Sequence, residues 1–321
     1  GTILRLSNQY SPSNADFVSA QAYIDKWIAS FHNGELGLAY DTAAASMIND
    51  KVLDYTAKDY EKVMLPTYKA LNYMALNDTA SARVEITRMY NIEDVIADYR
   101  SQLYAQSNDN TDANPNMHFA SFSQVESMAG NQYDFAALNT SPVLMLKNSY
   151  QNAFSHYLAG FIFETLHEPS LSRPGYVKAL ELNPNNPLIM QSINNIDKGG
   201  KDNNDMTDLL IVEEVGHAPE LKSVSFSIPF QITQGQASCS SAINISFPEL
   251  MLDTINYNEI NLTVDGNHLT PSLFTNFNLM AARYLHDDLP NIFLKNTLRA
   301  AKDVSLQQSA CSGGGSIAGL I

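Results

Sequence analysis

The stretch 156–187, HYLAGFIFETLHEPSLSRPGYVKALELNPNNP, limits the folds open to this chain more than any other. Within it Gly160 and Phe163 are followed by Ser172, Tyr176, Ala179 and Pro184 at regular offsets. Two antiparallel helices approach closely only where small side chains face each other, and Gly160 and Ser172 supply such a pair. Phe163 and Tyr176 fill the space one turn away, and Pro184 stops the second helix. A unit of this kind leaves an apolar side uncovered, so it predicts neighbouring helices and a concave binding surface. It predicts a scaffold more readily than an enzyme.

The offsets are those of a tetratricopeptide (TPR) repeat. A second unit over 60–89 breaks at Asn77-Asp78 and repeats the spacing with Ala70, Tyr73, Ala82 and Ile86, without a closing proline. A third candidate surrounds Asn33-Gly34. Its first helix carries Phe17, Ala20, Ile24, Trp27, Ile28 and Phe31, with Trp27 in a slot that wants a small residue, and its second spans 35–48. A separate helix over 92–106 runs into the polar stretch SNDNTDANPN, so the array is irregular. In TPR geometry the first helix of each unit lines the concave side. That assigns Met64, Tyr68, Leu71 and Met74 to the groove from one unit and Phe154, Tyr157, Leu158 and Phe161 from the other. An aromatic and methionine stripe suits either another part of the same chain, with 107–140 the first candidate, or an apolar helix or extended segment of a partner.

Beyond the Asn-, Asp- and Gly-rich loop 194–205 the period changes from helical to alternating. Leu221, Val224, Phe226, Ile228 and Phe230 interleave with Ser223, Ser225 and Ser227, preceded by a strand over 209–215. Ile243, Ile245 and Phe247 alternate again, and Ile260, Leu262 and Val264 run to a hairpin signal at Asp265-Gly266. Thr270-Pro271 reads as the start of a helix and Pro290 as the start of a last one. The expected fold is therefore α+β. An irregular TPR-like all-helical domain, 1–195, precedes a small antiparallel β-sheet module with two helices, 206–321.

The net charge of −15 argues against nucleic acid and anionic membranes as partners. No run approaches the roughly 20 apolar residues of a transmembrane segment, and no leader is visible. Seven histidines are scattered without paired spacing, so no metal and no cofactor is expected. His286-Asp287-Asp288 and Glu213-Glu214 read as solvated ends of elements, and the glycine-rich tail around Ser316 lacks the strand and histidine of a nucleophile elbow. No catalytic residues stand out. Cys239 and Cys311 suit either one disulfide in an oxidising compartment or two inert thiols.

Several runs resemble a family of uncharacterised bacterial TPR-like cell-envelope proteins, many of them lipoproteins. They are YEKVMLPTYKALNYMALND (60–78), YQNAFSHYLAGFIFETLHEP (150–169), KALELNPNNP (178–187), VEEVGHAPELKSVSFSIPF and ARYLHDDLPNIFLKNTLRAA. The resemblance implies a periplasmic or outer-membrane-associated setting, a lipid anchor upstream of residue 1, a protein partner and no catalytic residues. The expected function is a non-enzymatic protein–protein interaction scaffold. The alternative is a protein that holds a lipid or glycan fragment in the concave groove.

Overall fold

A computed structural model describes residues 1–34, 57–109, 117–118, 122–129, 132–199, 208–234, 237–251, 262–264 and 266–311. The chain is mostly helical, with antiparallel sheet and a long C-terminal helix. Its first helices are α1 (Thr2–Leu6), α2 (Tyr10–His32), α3 (Asp59–Ala75) and α4 (Thr79–Asp109). Three short helices follow, α5 (Phe122–Ala129), α6 (Phe135–Leu138) and α7 (Ser141–Leu144). Then come α8 (Ala153–Thr165), α9 (Pro169–Leu182) and α10 (Pro187–Asp197). Packing runs in sequence: α2 on α3, α3 on α4, α4 on α8, α8 on α9 and α9 on α10. No helix among the described residues is long and apolar enough to cross a membrane.

The α3–α4 and α8–α9 hairpins turn in the same way. In the first, the N–H groups of Leu76, Asn77 and Asp78 donate to the carbonyls of Asn72, Met74 and Tyr73. In the second, those of Leu166, His167 and Glu168 donate to Ile162, Glu164 and Phe163. Asn77 and His167 both take positive φ, 58° and 59°, which closes each helix with a left-handed residue. Ala70 and Gly160, Tyr73 and Phe163, and Ala82 and Ser172 hold equivalent places, and all but Tyr73 are buried. The hydroxyl of Ser172 donates to the Gly160 carbonyl at 2.8 Å. A Cβ at Gly160 would stand 2.6 Å from the Tyr176 ring, and one at Gly175 would stand 2.8 Å from the Gly160 nitrogen. Gly175 is thus part of the close approach alongside Ser172.

Helix α4 is one element, where the sequence suggests a pair ending at 89 and a new helix at 92. Met89, Ile92 and Ile96 form one fully buried stripe, and no breaker interrupts it. Helix α10 was not foreseen. Pro187 occupies its first turn, and the Asn186 side chain accepts from the Leu188 and Ile189 N–H groups. The expected helix over 35–48 lies outside the described residues.

The sheet has the order β1–β2–β3, with β1 (Met117–His118), β2 (Glu220–Gln234) and β3 (Ala237–Met251) antiparallel. Val224 pairs with Phe247 and Phe226 with Ile245, which sets the apolar residues inward. The outward face is polar: Ser225 bonds Ser246 at 2.7 Å and Ser227 donates to Asn244 at 2.6 Å. A separate hairpin joins β4 (Leu262–Val264) to β5 (Asn267–Leu269) through Gly266, whose φ is 77°. Residues 209–215 carry no strand, contrary to the one expected there.

Nor does Thr270-Pro271 open a helix. The chain stays irregular to Asn276, whose side chain accepts from Leu279 N–H at the start of α11 (Phe277–Cys311). Pro290 lies inside α11, so the module ends in one helix instead of two. Proline removes an intrahelical bond. Here Leu285 and Leu289 before it and Ile292 and Phe293 after it pack on the same core, and this holds both halves in line.

That core also takes Val125, Tyr133, Phe135, Leu138 and Val143, which precede the array's last helices in sequence. The Tyr133 hydroxyl donates to the Pro248 carbonyl at 2.7 Å. The described parts of 107–140 therefore serve the sheet and α11, and they do not fill the groove.

A buried ionic junction ties the array to α11. Arg100 on α4 donates to Asp59 at 2.7 Å and to Asp288 at 3.2 Å, with its guanidinium 4.8 Å from the Tyr284 ring centre. Lys62 reaches Asp59 at 2.9 Å and lies 3.8 Å from the Trp27 ring centre. Burial alone would push the Asp59 carboxyl up, but Lys62 and Arg100 outweigh it and hold the group below the usual range.

Two outcomes follow from this packing. Gly160→Leu drives a side chain into the Tyr176 ring and should lower stability by about 1–3 kcal/mol or more. A melting temperature within about 2 °C of the parent, well under the shift such a loss produces, would show that the contact does not hold the hairpin. Asp59→Asn removes one partner of a buried ion pair and should cost about 3–5 kcal/mol. A depressed folded value contributes stability that is complete above the ordinary 3.8 and is lost as pH falls below it. Melting temperature should therefore drop more steeply below about pH 4 in the parent than in Asp59→Asn. Parallel curves would remove Asp59 from the acid limb.

Candidate binding groove

Helices α3 and α8 carry the residues that the repeat spacing assigns to a concave stripe. Two of these lie in the interior: Leu158 has no exposure, and Met64 is buried with its sulfur accepting from Asn152 and Ser155 at 3.6 Å. Tyr68, Leu71, Met74, Phe154, Tyr157 and Phe161 are half-buried and form a discontinuous surface.

Each end of that surface is covered by a different part of the chain. On α3, Tyr68 stacks on Phe17 with ring centres 6.2 Å apart, and the Arg5 guanidinium lies 4.7 Å from its ring centre. Arg5 in turn forms an ion pair with Glu214, and Leu210 packs on the same apolar cluster. Burial, and then the Glu214 charge, push the Tyr68 phenol up to about 12. On α8, Tyr157 meets Phe274 edge-on at 4.8 Å and Tyr176 at 5.1 Å.

The segment bearing Phe274 is held by polar groups along its length. Asn186 donates to the Ser272 hydroxyl at 2.8 Å, Asn183 donates to the Leu273 carbonyl at 2.7 Å, and Phe154 N–H donates to the Thr275 hydroxyl at 3.3 Å. Two irregular segments, 208–215 and 272–275, thus occupy the stripe, in place of the 107–140 segment the sequence suggested.

The stripe keeps one small cavity of about 100 Å³, bounded by Tyr157, Phe161, Glu164, Tyr176, Ser192, Asn195 and residues 208–210. A wider open cleft of about 490 Å³ lies between α2 and α4, with Asp25, His32, Arg88 and Asp94 among its walls. The remaining repeat positions are structural. Ala70, Ala82 and Ala179 are fully buried, Tyr73 packs partly buried on the array core, and Pro184 is exposed in the link from α9 to α10.

Spacing did not reveal the polar contacts between helices. The His156 imidazole on α8 lies 3.1 Å from the Glu93 carboxylate on α4, both buried, and Gln151 donates to the same oxygen at 3.1 Å. Thr67 and Ser155 share a hydrogen bond at 2.8 Å between α3 and α8. Lys69 pairs with Glu85 at 2.7 Å, and Asn72 donates to Ser13 and Asn14 on α2. These partners are far apart in sequence and share no motif. Ser192 and Asn195 were missed because α10 was missed, although Asn186-Pro187 was the signal for that helix.

Other candidates are engaged in the fold. Asp287 pairs with Arg283 and His286, Asp288 with Arg100, and Glu214 with Arg5. Among the described residues no cluster of His, Cys, Asp and Glu suits a metal ion. Cys239 falls in β3 and Cys311 ends α11, and their side chains lie outside the described residues. The chain matches no protein-family model, and no curated protein sequence or solved structure matches it.

Since the stripe holds segments of its own chain, truncating it should act on stability. Tyr157→Ala with Phe161→Ala removes two half-buried rings and should cost about 2–4 kcal/mol, below the loss for two fully buried aromatics. Thermal unfolding checks this. An unchanged melting temperature would mean that the covering segments do not depend on these rings.

Proposed function

We propose that this chain is a non-enzymatic protein–protein interaction scaffold of the bacterial cell envelope, built on a TPR-like array. The carrying observation is that the concave stripe already holds irregular, unpaired backbone. Asn183, Asn186 and the Phe154 N–H engage residues 272–275 through one main-chain carbonyl and two hydroxyls. Aromatic rings beside those contacts accept Phe274. A surface that holds an irregular segment through amide contacts and aromatic rings is suited to segments of other chains.

The matched α3–α4 and α8–α9 turns support the repeat reading, since two hairpins with one loop geometry are what a repeated unit produces. The envelope setting rests on the resemblance of residues 60–78, 150–169 and 178–187. The rival reading, an apolar lipid or glycan fragment in the same groove, has less support because chain segments fill the stripe and leave a small cavity lined by hydroxyl and carboxylate groups.

Immobilised full chain exposed to a detergent-solubilised envelope fraction should retain one protein near stoichiometry. Phe274→Ala, which loosens the resident segment, should slow the release of that protein on washing several-fold. Native mass spectrometry of the same sample separates the readings. A bound lipid or glycan with no protein retained would sink the scaffold proposal and favour the alternative.

A further inference from the structure

The small cavity on the stripe has a chemistry of its own. It lies among α8, α9, α10 and residues 208–210. The Tyr176 hydroxyl donates to Glu164 at 2.6 Å, and the Tyr157 and Ser192 hydroxyls share a hydrogen bond at 3.2 Å. Asp208 stands exposed at the rim, and among the described residues no Lys, Arg or His lines the cavity. Burial, with the Glu164 carboxylate added for Tyr176, raises both phenols, so they stay neutral and keep oxygen lone pairs available at neutral pH.

The groups suit one class of guest. An anion meets the Glu164 carboxylate, with no cation among the described lining residues. An apolar group meets oxygens that it cannot satisfy. A primary ammonium carries three donors and no acceptor. Glu164 retains lone-pair sites beyond the one used by Tyr176, and the Ser192 and Tyr157 oxygens lie beside it. Tyr157 and Phe161 also line the cavity, and aromatic rings attract a cation seated on their faces. The volume of about 100 Å³ exceeds the space for one water several times over. The chain's net charge of −15 raises local cation concentration.

We propose that the cavity formed by Tyr157, Phe161, Glu164, Tyr176, Ser192 and Asp208 is a binding site for a primary alkylammonium group, either the side chain of a lysine or a free small amine. The lysine source rests on the scaffold reading, because it needs an incoming chain to reach the rim. The site itself does not.

The test is titration of the full chain with n-butylammonium chloride, followed by NMR of labelled tyrosine and by calorimetry, with n-butanol and potassium chloride as comparators. Butylammonium should shift the Tyr157 and Tyr176 signals saturably, and the two comparators should not. Glu164→Gln keeps the shape and an acceptor for Tyr176 while removing the charge, and should weaken binding at least about tenfold. Tyr157→Phe, which keeps the ring, should weaken it a few-fold and guards against misfolding of the first variant.

Nα-acetyl-lysine methylamide separates the two sources. Binding at least as tight as butylammonium assigns the site to lysine side chains, and its failure beside tight butylammonium binding assigns it to free amines. No saturable shift, equal binding of butanol, or unchanged affinity in folded Glu164→Gln overturns the proposal. Butylammonium binding without any retained protein partner would keep the site and sink the scaffold reading alone.

Discussion

The Arg100–Asp59 ion pair, with Lys62 and Asp288 attached, is the constraint on which the arrangement of the whole chain depends. A buried charge is costly unless paired and hydrogen-bonded, and these charges are satisfied only when α3, α4 and α11 meet at one place. Apolar packing between helices tolerates some sliding. A guanidinium shared between two carboxylates tolerates little, because its donors have fixed directions. The junction thereby sets where α11 crosses the array, and α11 carries one wall of the second core. Trp27 over Lys62 extends the same cluster to α2.

Within the array a similar logic operates at smaller scale. The first four successive helix pairs each combine an apolar contact with a buried polar one: Asn72 to α2, Lys69 to Glu85, Glu93 near His156, and Ser172 to Gly160. Apolar area supplies most of the association. The polar pairs select a register, since a slip of one turn would leave donors or charges buried without partners. Gly160 and Gly175 permit the closest approach, and the Tyr176 ring occupies the space that a Cβ would need.

The functional reading grows out of what this packing leaves uncovered. The concave side was expected to hold a segment, and two segments lie there, both from beyond residue 207. Residues 272–275, just before α11, lie against Phe154 on α8 and against Asn183 and Asn186 in the link from α9 to α10. On the scaffold reading, a partner segment would meet a surface already partly occupied by irregular segments of the same chain. At its α8 end the aromatic stripe borders the Glu164 carboxylate and the Tyr157, Tyr176 and Ser192 hydroxyls. That combination makes the Glu164 cavity a more selective feature than the apolar rings alone.

The helical hairpins and the two main strands were legible in the sequence because each rests on local rules. Small residues at a twelve-residue offset dictate a close helix pair, and serine alternating with large apolar residues over 221–230 dictates a half-buried strand. Asp265-Gly266 marked the short hairpin for the same reason. The errors share a cause as well. Residues 209–215 look like a strand and Pro290 looks like a helix start, yet each was decided by what packs against it: the α3 surface for the first, the sheet core for the second. The identity of the groove's occupant, the Glu93–His156 contact and the Arg100 junction join residues far apart along the chain, and no local pattern encodes such pairs. The sequence by itself determined the hairpins and the sheet's inward face, through spacing and turn chemistry. Only the tertiary structure decided which segments cover the stripe and which charges meet, because a buried charge or ring takes its partner from the global packing.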